Sequence, residues 1–250
     1  MKAMILAAGE GSRLRPLTLD RPKPMLSIAG RPMMEYTVAW LRHWGVTQIG
    51  MNLHHRPRVV MDHFGDGSSF GVRLTYSVEE TILGTAGGVK RLSGFLDQTF
   101  VLVYGDVLTD FELKALVNFH FARPNGPHVT ISLYHAATPS DCGIVSLDGQ
   151  GRVTSFVEKP PIHEISSDLA NAGVLIVDPE LLEHVPDGCF YDFGQDLFPA
   201  LLEAGVPMYG WTLPESAYLI DIGTPERFAQ VQQEWPTPAA RAFLGHGGTP

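Results

Sequence analysis

The stretch from Lys2 to Met25, KAMILAAGEGSRLRPLTLDRPKPM, limits what this chain can fold into more than any other. Met4-Ile5-Leu6-Ala7 is a short apolar run, the pattern of a strand buried on both faces of a parallel sheet. Gly9 and Gly11 interrupt it, and Arg13 follows before any helical pattern begins. Glycines let backbone N–H groups approach a ligand, and a row of such groups forms an anion-binding concavity. Arg13 and Lys23 add full positive charges suited to phosphate oxygens. A strand, a glycine loop and two spaced cations point to a polyphosphate site. Two glycines alone would do no more than turn the chain.

Spacing separates this loop from two better-known phosphate loops. The dinucleotide fingerprint needs a third glycine where Leu14 stands, and an acid at the end of the second strand, where Asn52 and Leu53 stand. The P-loop needs Gly-Lys-Ser/Thr, and the chain has no Gly-Lys pair.

The rest of the chain reads as alternating strands and helices. Pro32 suits the start of a helix over 33–44 closed by Gly45, and 57–64 is a second helix closed by Gly65. Segments 47–53, 72–78 and 99–104 read as strands, and Thr85 reads as the cap of a helix to Leu92. This pitch predicts an α/β fold: a Rossmann-like, mostly parallel sheet sandwiched by helices, with ligands at the carboxyl ends of the strands. In the second half, 129–134, 143–147, 153–158 and 172–177 are closely spaced strands, expected to form a small antiparallel β flap. Residues 193–204 read as a helix that Pro199 divides, 208–213 and 218–220 as strands, and Thr224 as the cap of a helix to Glu234. One unit over 1–235 is expected, with 236–250 a loose tail.

At 250 residues the chain is long enough for a substantial core. Its net charge of −9 argues against a nucleic-acid surface, yet a nucleotide needs only a few local cations. Cys142 and Cys189 lack metal-ligand spacing, and no apolar run is long enough to span a membrane or serve as a secretion signal. The expectation is a cytoplasmic protein with neither nucleic-acid nor membrane partners. Gly67-Ser68-Ser69-Phe70-Gly71 matches the hydrolase elbow as text, but it follows a helix and precedes a strand, the reverse of what the elbow needs. His54, His55 and His63 read as loop or surface histidines. Met33, Met34 and Tyr36 read as core or subunit-contact residues, which leaves room for a homodimer.

Two acids follow strands directly: Asp106 in Tyr104-Gly105-Asp106-Val107 and Asp221 in Leu219-Ile220-Asp221-Ile222-Gly223. On one sheet edge they could share a Mg²⁺ ion, which takes oxygen ligands and retains substrate phosphates. Taken singly, each reads as a turn or capping aspartate, with Asp110 and Asp192 as the competing acids. Glu158-Lys159-Pro160 ends a strand, where a lysine can hold a phosphate and a glutamate can accept from hydroxyls. As an ion pair at a strand exit it would mean nothing.

Gly9-Glu10-Gly11-Ser12-Arg13-Leu14, with Pro16-Leu17-Thr18 and Pro22-Lys23-Pro24-Met25, resembles the signature of the sugar-1-phosphate nucleotidyltransferases. Further motifs in the same order extend the resemblance over roughly 1–234, nearest to mannose-1-phosphate guanylyltransferase-like members. It implies that Leu6, Ala8, Gly9, Gly11 and Ser12 wrap a nucleoside triphosphate, that Arg13 grips its β/γ-phosphates and that Lys23 contacts the phosphate under attack. It implies Asp106 and Asp221 as the Mg²⁺ ligands, because Gly-Asp and Asp-x-Gly-Thr-Pro stand where the family keeps them. It assigns the sugar phosphate to Gly143, Glu158, Lys159, Asn171 and Gly173, of which Gly143 and Asn171 are by composition ordinary turn residues.

The loop Glu79-Glu80-Thr81-Ile82-Leu83-Gly84-Thr85 stands where relatives read the base. A carboxylate can accept the two parallel donors of guanine, and Glu79 or Glu80 beside Leu-Gly-Thr-Ala-Gly resembles the guanylyltransferase version. The implied reaction is Mg²⁺-dependent transfer of a nucleoside monophosphate from GTP to mannose-1-phosphate, releasing pyrophosphate. Uridylyl or thymidylyl transfer to another sugar-1-phosphate, or a catalytically silent nucleotide-sugar-binding subunit, are the alternatives. Cys142 departs from the more usual aromatic, and the C-terminal hexapeptide helix of many longer relatives is absent from this sequence.

Overall fold

The computed structural model describes residues 1–123 and 126–244. From the N-terminus the chain forms β1 (Lys2–Leu6), a small hairpin of β2 (Ser27–Ile28) and β3 (Arg31–Pro32), and helix α1 (Met33–His43). Then come β4 (Gln48–Leu53), α2 (Pro57–Phe64), β5 (Arg73–Val78), α3 (Gly84–Lys90), β6 (Phe100–Tyr104), β7 (Val107–Thr109) and α4 (Leu113–Phe121). The second half holds β8 (Val129–His135), β9 (Gly143–Leu147), β10 (Val153–Glu158), β11 (Leu169–Val177), α5 (Phe198–Glu203), β12 (Met208–Thr212), β13 (Leu219–Asp221), α6 (Pro225–Glu234) and α7 (Pro238–Leu244).

Strand β1 lies between β6 and β4, with β5 beyond β4, all parallel. Successive side chains of a strand point to opposite faces, and here both faces are covered. Ala3 and Ile5 join Val101, Val103, Val174 and Ile176 in one apolar cluster with α1, α2 and α4. Met4 joins Phe100, Leu102, Leu175 and Val177 in a second cluster with α3 and α5. The expected helix-sandwiched parallel sheet is what forms. The antiparallel strands β11, β9 and β10 continue the same nine-stranded sheet beyond β6, while β8 pairs with β11 and carries β12.

Several elements differ from their sequence reading. Thr85 does not cap α3: it lies inside the first turn, and its hydroxyl bonds across to Asp192 and the Phe193 backbone. The 193–204 segment is divided, but at 197/198, where a π turn (Phe193–Leu197) gives way to α5 and Pro199 occupies the first turn. Neither β7 nor α4 is expected from the sequence, although Leu113, Leu116, Val117 and His120 share one helical face.

The loose tail is also corrected. Thr237 accepts from the Ala240 N–H, Pro238 takes the first helical position, and α7 buries Ala240 and Phe243 against α1. Pro238 thus starts a helix where a loose tail is expected. Residues 245–250 of the expected tail lie outside the described residues.

At the amino end of β6, far from the strand tips expected to bind ligand, His120, His128 and Asp178 form a buried polar knot. Asp178 accepts from Thr99 Oγ1 at 2.6 Å and from the His128 N–H at 3.0 Å, and lies 3.4 Å from His120 Nε2. His128 Nδ1 lies 2.8 Å from Gly126 O and its Nε2 3.2 Å from His120 O. Every ligand-capable atom of the group has a protein partner, so the knot closes the end of the sheet by itself.

Burial works to raise the Asp178 carboxyl, but the bonds from His120, Thr99 and the His128 backbone outweigh it and bring it to about 2. A carboxylate depressed in the folded state adds stability above its unfolded pKa and loses it as pH falls through the folded value. Asp178→Asn should therefore cost about 2 kcal/mol at pH 7. Denaturant titrations should show the gap to wild type narrowing between about pH 5 and pH 2.

Candidate active site

The site begins where β1 and β6 end. The Gly105 N–H donates to Leu6 O at 2.9 Å, and a Cβ at Gly105 would stand 2.3 Å from that same oxygen. Only glycine lets the two strand tips close up this far. Asp106 follows at once and is set beside the glycine loop.

Asp221 is brought to it by a two-stranded ladder in which Leu219, Ile220 and Asp221 of β13 pair with Thr109, Leu108 and Val107 of β7. The Ile222 N–H then donates to Asp106 O at 3.0 Å. Asp221 thus lies opposite Val107, the residue after Asp106, although 115 positions separate the two acids in the chain. Four cations surround or approach them. Lys23 Nζ donates to Asp106 Oδ2 at 2.5 Å, and Arg227 of α6 pairs with Asp221. The Arg13 guanidinium lies against Gly223, and its charge reaches Asp106. Lys159 stands beside Glu158 on the sugar side and is exposed. Burial pushes the Asp106 carboxyl up, but the Lys23 ammonium, helped by Arg13, holds it below its ordinary value.

The glycine loop forms one wall of a cleft of about 310 Å³. Leu6, Ala8, Gly9, Lys23, Gly84, Thr85 and Asp106 of the expected set line it, together with Asn52, Tyr104, Phe190 and Asp192. Gly11 has φ 62°, and a Cβ there would press on Thr18 and Lys23. Its carbonyl accepts from Thr18 Oγ1 at 2.8 Å. Ser12 and Arg13 are exposed in the short turn that follows.

The base-reading loop divides. Glu80 is exposed, while Glu79 is only 2 % exposed, with Oε1 accepting from Asn52 Nδ2 at 2.8 Å and Oε2 from the Leu83 N–H at 2.9 Å. Asn52 in turn accepts from the Ala7 N–H at 2.9 Å. Glu79 thus braces the loop against β1, and to read a base it would first have to give up one of these partners. His54, His55 and His63 stand beside Glu79 O, Thr18 O and Glu35, in keeping with loop histidines.

On the sugar side, Gly143 pairs with Glu158 across β9 and β10. The Asn171 side chain accepts from the Gly173 N–H at 2.9 Å inside a bulge of β11, and it hydrogen-bonds Tyr104. Lys159 has φ 49°, a left-handed conformation that a non-glycine residue holds at a cost of order 1 kcal/mol. Its N–H donates to Cys142 O at 2.9 Å.

Asp192 is the residue that the sequence offered only as a competing acid. It accepts from Thr85 Oγ1 at 2.8 Å and from the Gly194 N–H at 2.8 Å, stitching α3 to the sugar side. Burial raises the Glu158 carboxyl; Lys159 opposes the rise and Asp192 adds to it. Tyr104 is pushed up by burial and then by Asp192 and Glu158. Asp110 serves the fold instead, accepting from the Tyr218 N–H and from Thr237 Oγ1.

Asn52, Tyr104 and Arg227 join the site although the sequence reading gives none of them a role. Tyr104 stands in the Asp106 motif, whereas Asn52 and Arg227 are brought in by β4 and α6. Asp106 lines the cleft and Asp221 ends the strand beside it, and two carboxylates are the oxygen donors that Mg²⁺ takes.

Residues 2–237 match the family model described as nucleotidyl transferase. A UTP–glucose-1-phosphate uridylyltransferase of Synechocystis sp. is 40% identical over 84% of this chain and 57% of its own length. A mannose-1-phosphate guanylyltransferase of Mycobacterium tuberculosis is 36% identical over 97% of this chain and 68% of its own. The chain thus spans only part of these relatives' length. A solved structure of a candidate glucose-1-phosphate thymidylyltransferase from Bacillus anthracis superposes with a TM-score of 0.82, covering 93% of this chain and 94% of that one at 23% identity, a likeness of fold.

Gly105→Ala tests the strand-tip contact. It should lower stability by about 1–3 kcal/mol, read from thermal or denaturant unfolding, because the obstacle is backbone and cannot swing aside.

Proposed function

Because this chain belongs to the nucleotidyl transferase family, we propose that it moves a nucleoside monophosphate from a nucleoside triphosphate to a sugar-1-phosphate, with GTP and mannose-1-phosphate as the favoured pair. The observation that carries the reading is the Asp106–Lys23 pair in the lining of a glycine-walled cleft, with Arg13 close enough to act on Asp106 and Asp221 on the strand next to it.

The sugar phosphate already carries a nucleophilic oxygen, so no side-chain nucleophile is required. An oxygen of the sugar phosphate attacks the α-phosphorus, a new P–O bond forms, and the bond to the β-phosphate oxygen breaks, releasing pyrophosphate. Catalysis then rests on alignment and charge neutralisation. Mg²⁺ held by Asp106 and Asp221 supplies neutralising charge to the phosphate oxygens.

Backbone N–H groups of the Gly9–Gly11 loop hold the triphosphate, and Arg13 takes the developing charge of the leaving pyrophosphate. Lys23, paired with Asp106 in the cleft lining, steadies the α-phosphate. Lys159 steadies the attacking phosphate, while Glu158 and Asn171 accept from and donate to sugar hydroxyls around Gly143 and Gly173. Gly84 and Thr85 flank the base.

Support for guanine comes from the exposed Glu80, whose carboxylate can accept N1–H and the 2-amino group together, and from the likeness to the mycobacterial guanylyltransferase. A second reading, uridylyl transfer to glucose-1-phosphate, is favoured by the higher identity of the Synechocystis relative. Among the described residues no helix is long and apolar enough to cross a membrane.

Pyrophosphate release measured with GTP, UTP, dTTP, ATP and CTP against several sugar-1-phosphates decides among these pairs. Release with none would leave the silent binding subunit. Lys23→Ala should reduce kcat by about 100-fold or more while circular dichroism stays native. Near-native turnover would remove Lys23 from the reaction. Glu80→Gln should lower kcat/KM for GTP by about tenfold relative to UTP, through loss of one charge-assisted acceptor. An unchanged ratio would move base reading elsewhere.

A further inference from the structure

Each of the two expected metal ligands is paired with an internal cation: Asp106 with Lys23 and Asp221 with Arg227. Lys23 has a stated task, but Arg227 has none. It belongs to the first turn of α6, where Thr224 Oγ1 accepts from its N–H at 3.3 Å. The helix dipole opposes a cation in a first turn, so α6 gains nothing from an arginine there. A glutamate, as at the neighbouring Glu226, would serve the helix better.

The side chain of Arg227 reaches in two directions. One is the Asp221 carboxylate, and the other is the Tyr134 hydroxyl on β8. Tyr134 packs beside Cys142, with its hydroxyl 3.4 Å from the sulfur, and Cys142 precedes Gly143 at the sugar wall. The guanidinium therefore bridges the metal side and the sugar side of the cleft. It is 38 % exposed and open to an incoming anion. Arginine binds phosphate in a bidentate fork, which lysine cannot do.

We propose that Arg227 is a sugar-phosphate-binding residue that is held in reserve by Asp221. In the ligand-free protein it occupies Asp221 and keeps that carboxylate neutralised. Once Asp221 turns to a divalent cation, Arg227 loses its partner and takes the phosphate of the sugar-1-phosphate, opposite Lys159. The carboxylate exchanges one positive partner for another, and the arginine exchanges one anion for another. This rests on the transfer reaction proposed above and names a phosphate contact that lies outside every motif of the sequence.

Two measurements on the whole chain test it, with Arg227→Met and Arg227→Lys. The first is Mn²⁺ binding without substrates, followed by electron paramagnetic resonance. Arg227→Met should bind Mn²⁺ several-fold more tightly than wild type, because no internal cation must be displaced, with Arg227→Lys in between. The second is steady-state kinetics, in which KM for the sugar-1-phosphate should rise roughly tenfold or more in Arg227→Met while KM for the nucleotide stays within about threefold.

Weaker Mn²⁺ binding in Arg227→Met, or an unchanged sugar-phosphate KM, would overturn the proposal, leaving Arg227 as a mere support for Asp221. If the wild type transfers no nucleotide with any pair, the functional reading fails by itself. Inorganic phosphate binding in the presence of Mn²⁺ then reads the same contact: its loss in Arg227→Met upholds the role of Arg227, and its persistence overturns it.

Discussion

The antiparallel ladder between β7 and β13 decides whether this chain has a site at all. Three residue pairs and the bond from the Ile222 N–H to Asp106 O carry Asp221 across the fold to Asp106. The proposed chemistry depends on that backbone approach. The ladder can form only because β6 ends where it does, with Gly105 drawn onto Leu6 so that the chain turns at Asp106 and runs out again as β7. A local steric fact about one glycine thus propagates into a contact between distant parts of the sequence.

Around that centre the walls are tied to one another rather than left as free loops. Asn52 joins β1 to the base-side loop through Ala7 and Glu79. Asp192 joins the same region, through Thr85, to the turn that faces Glu158. The Tyr191 carbonyl accepts from the Ala86 and Gly87 N–H groups, so the amino end of α3 is closed by protein. The loop before α3 and the turn before α5 thus share hydrogen bonds through Thr85 and Asp192.

Much of the fold was legible in the sequence because its signals are local. Segments 47–53, 99–104, 143–147 and 153–158 match β4, β6, β9 and β10 to within one residue, the run 4–7 finds β1 two residues late, and Thr224 with Pro225 marks the start of α6. Asp106 and Asp221 stand out in the sequence because each closes a short apolar stretch; in the fold Asp106 lies two residues past β6 and Asp221 is the last residue of β13. What escaped depends on tertiary context. β7 is a three-residue strand with meaning only against β13, and α7 hides behind two prolines until Thr237 is seen to cap it. Glu79 and Glu80 look alike in sequence, but burial sends one inward to Asn52 and leaves the other facing solvent. Arg227 sits in an exposed helical turn, and nothing in its flanking residues says that it reaches Asp221.

The pairing of Lys23 with Asp106 and of Arg227 with Asp221 has a bearing on how a polyanion arrives. Opposite charges in contact cancel at a distance, and the chain as a whole is negative, so the empty cleft casts little attractive field into solvent. Any long-range attraction for a polyanion therefore falls to Arg13 and Lys159, which stand exposed outside these two pairs.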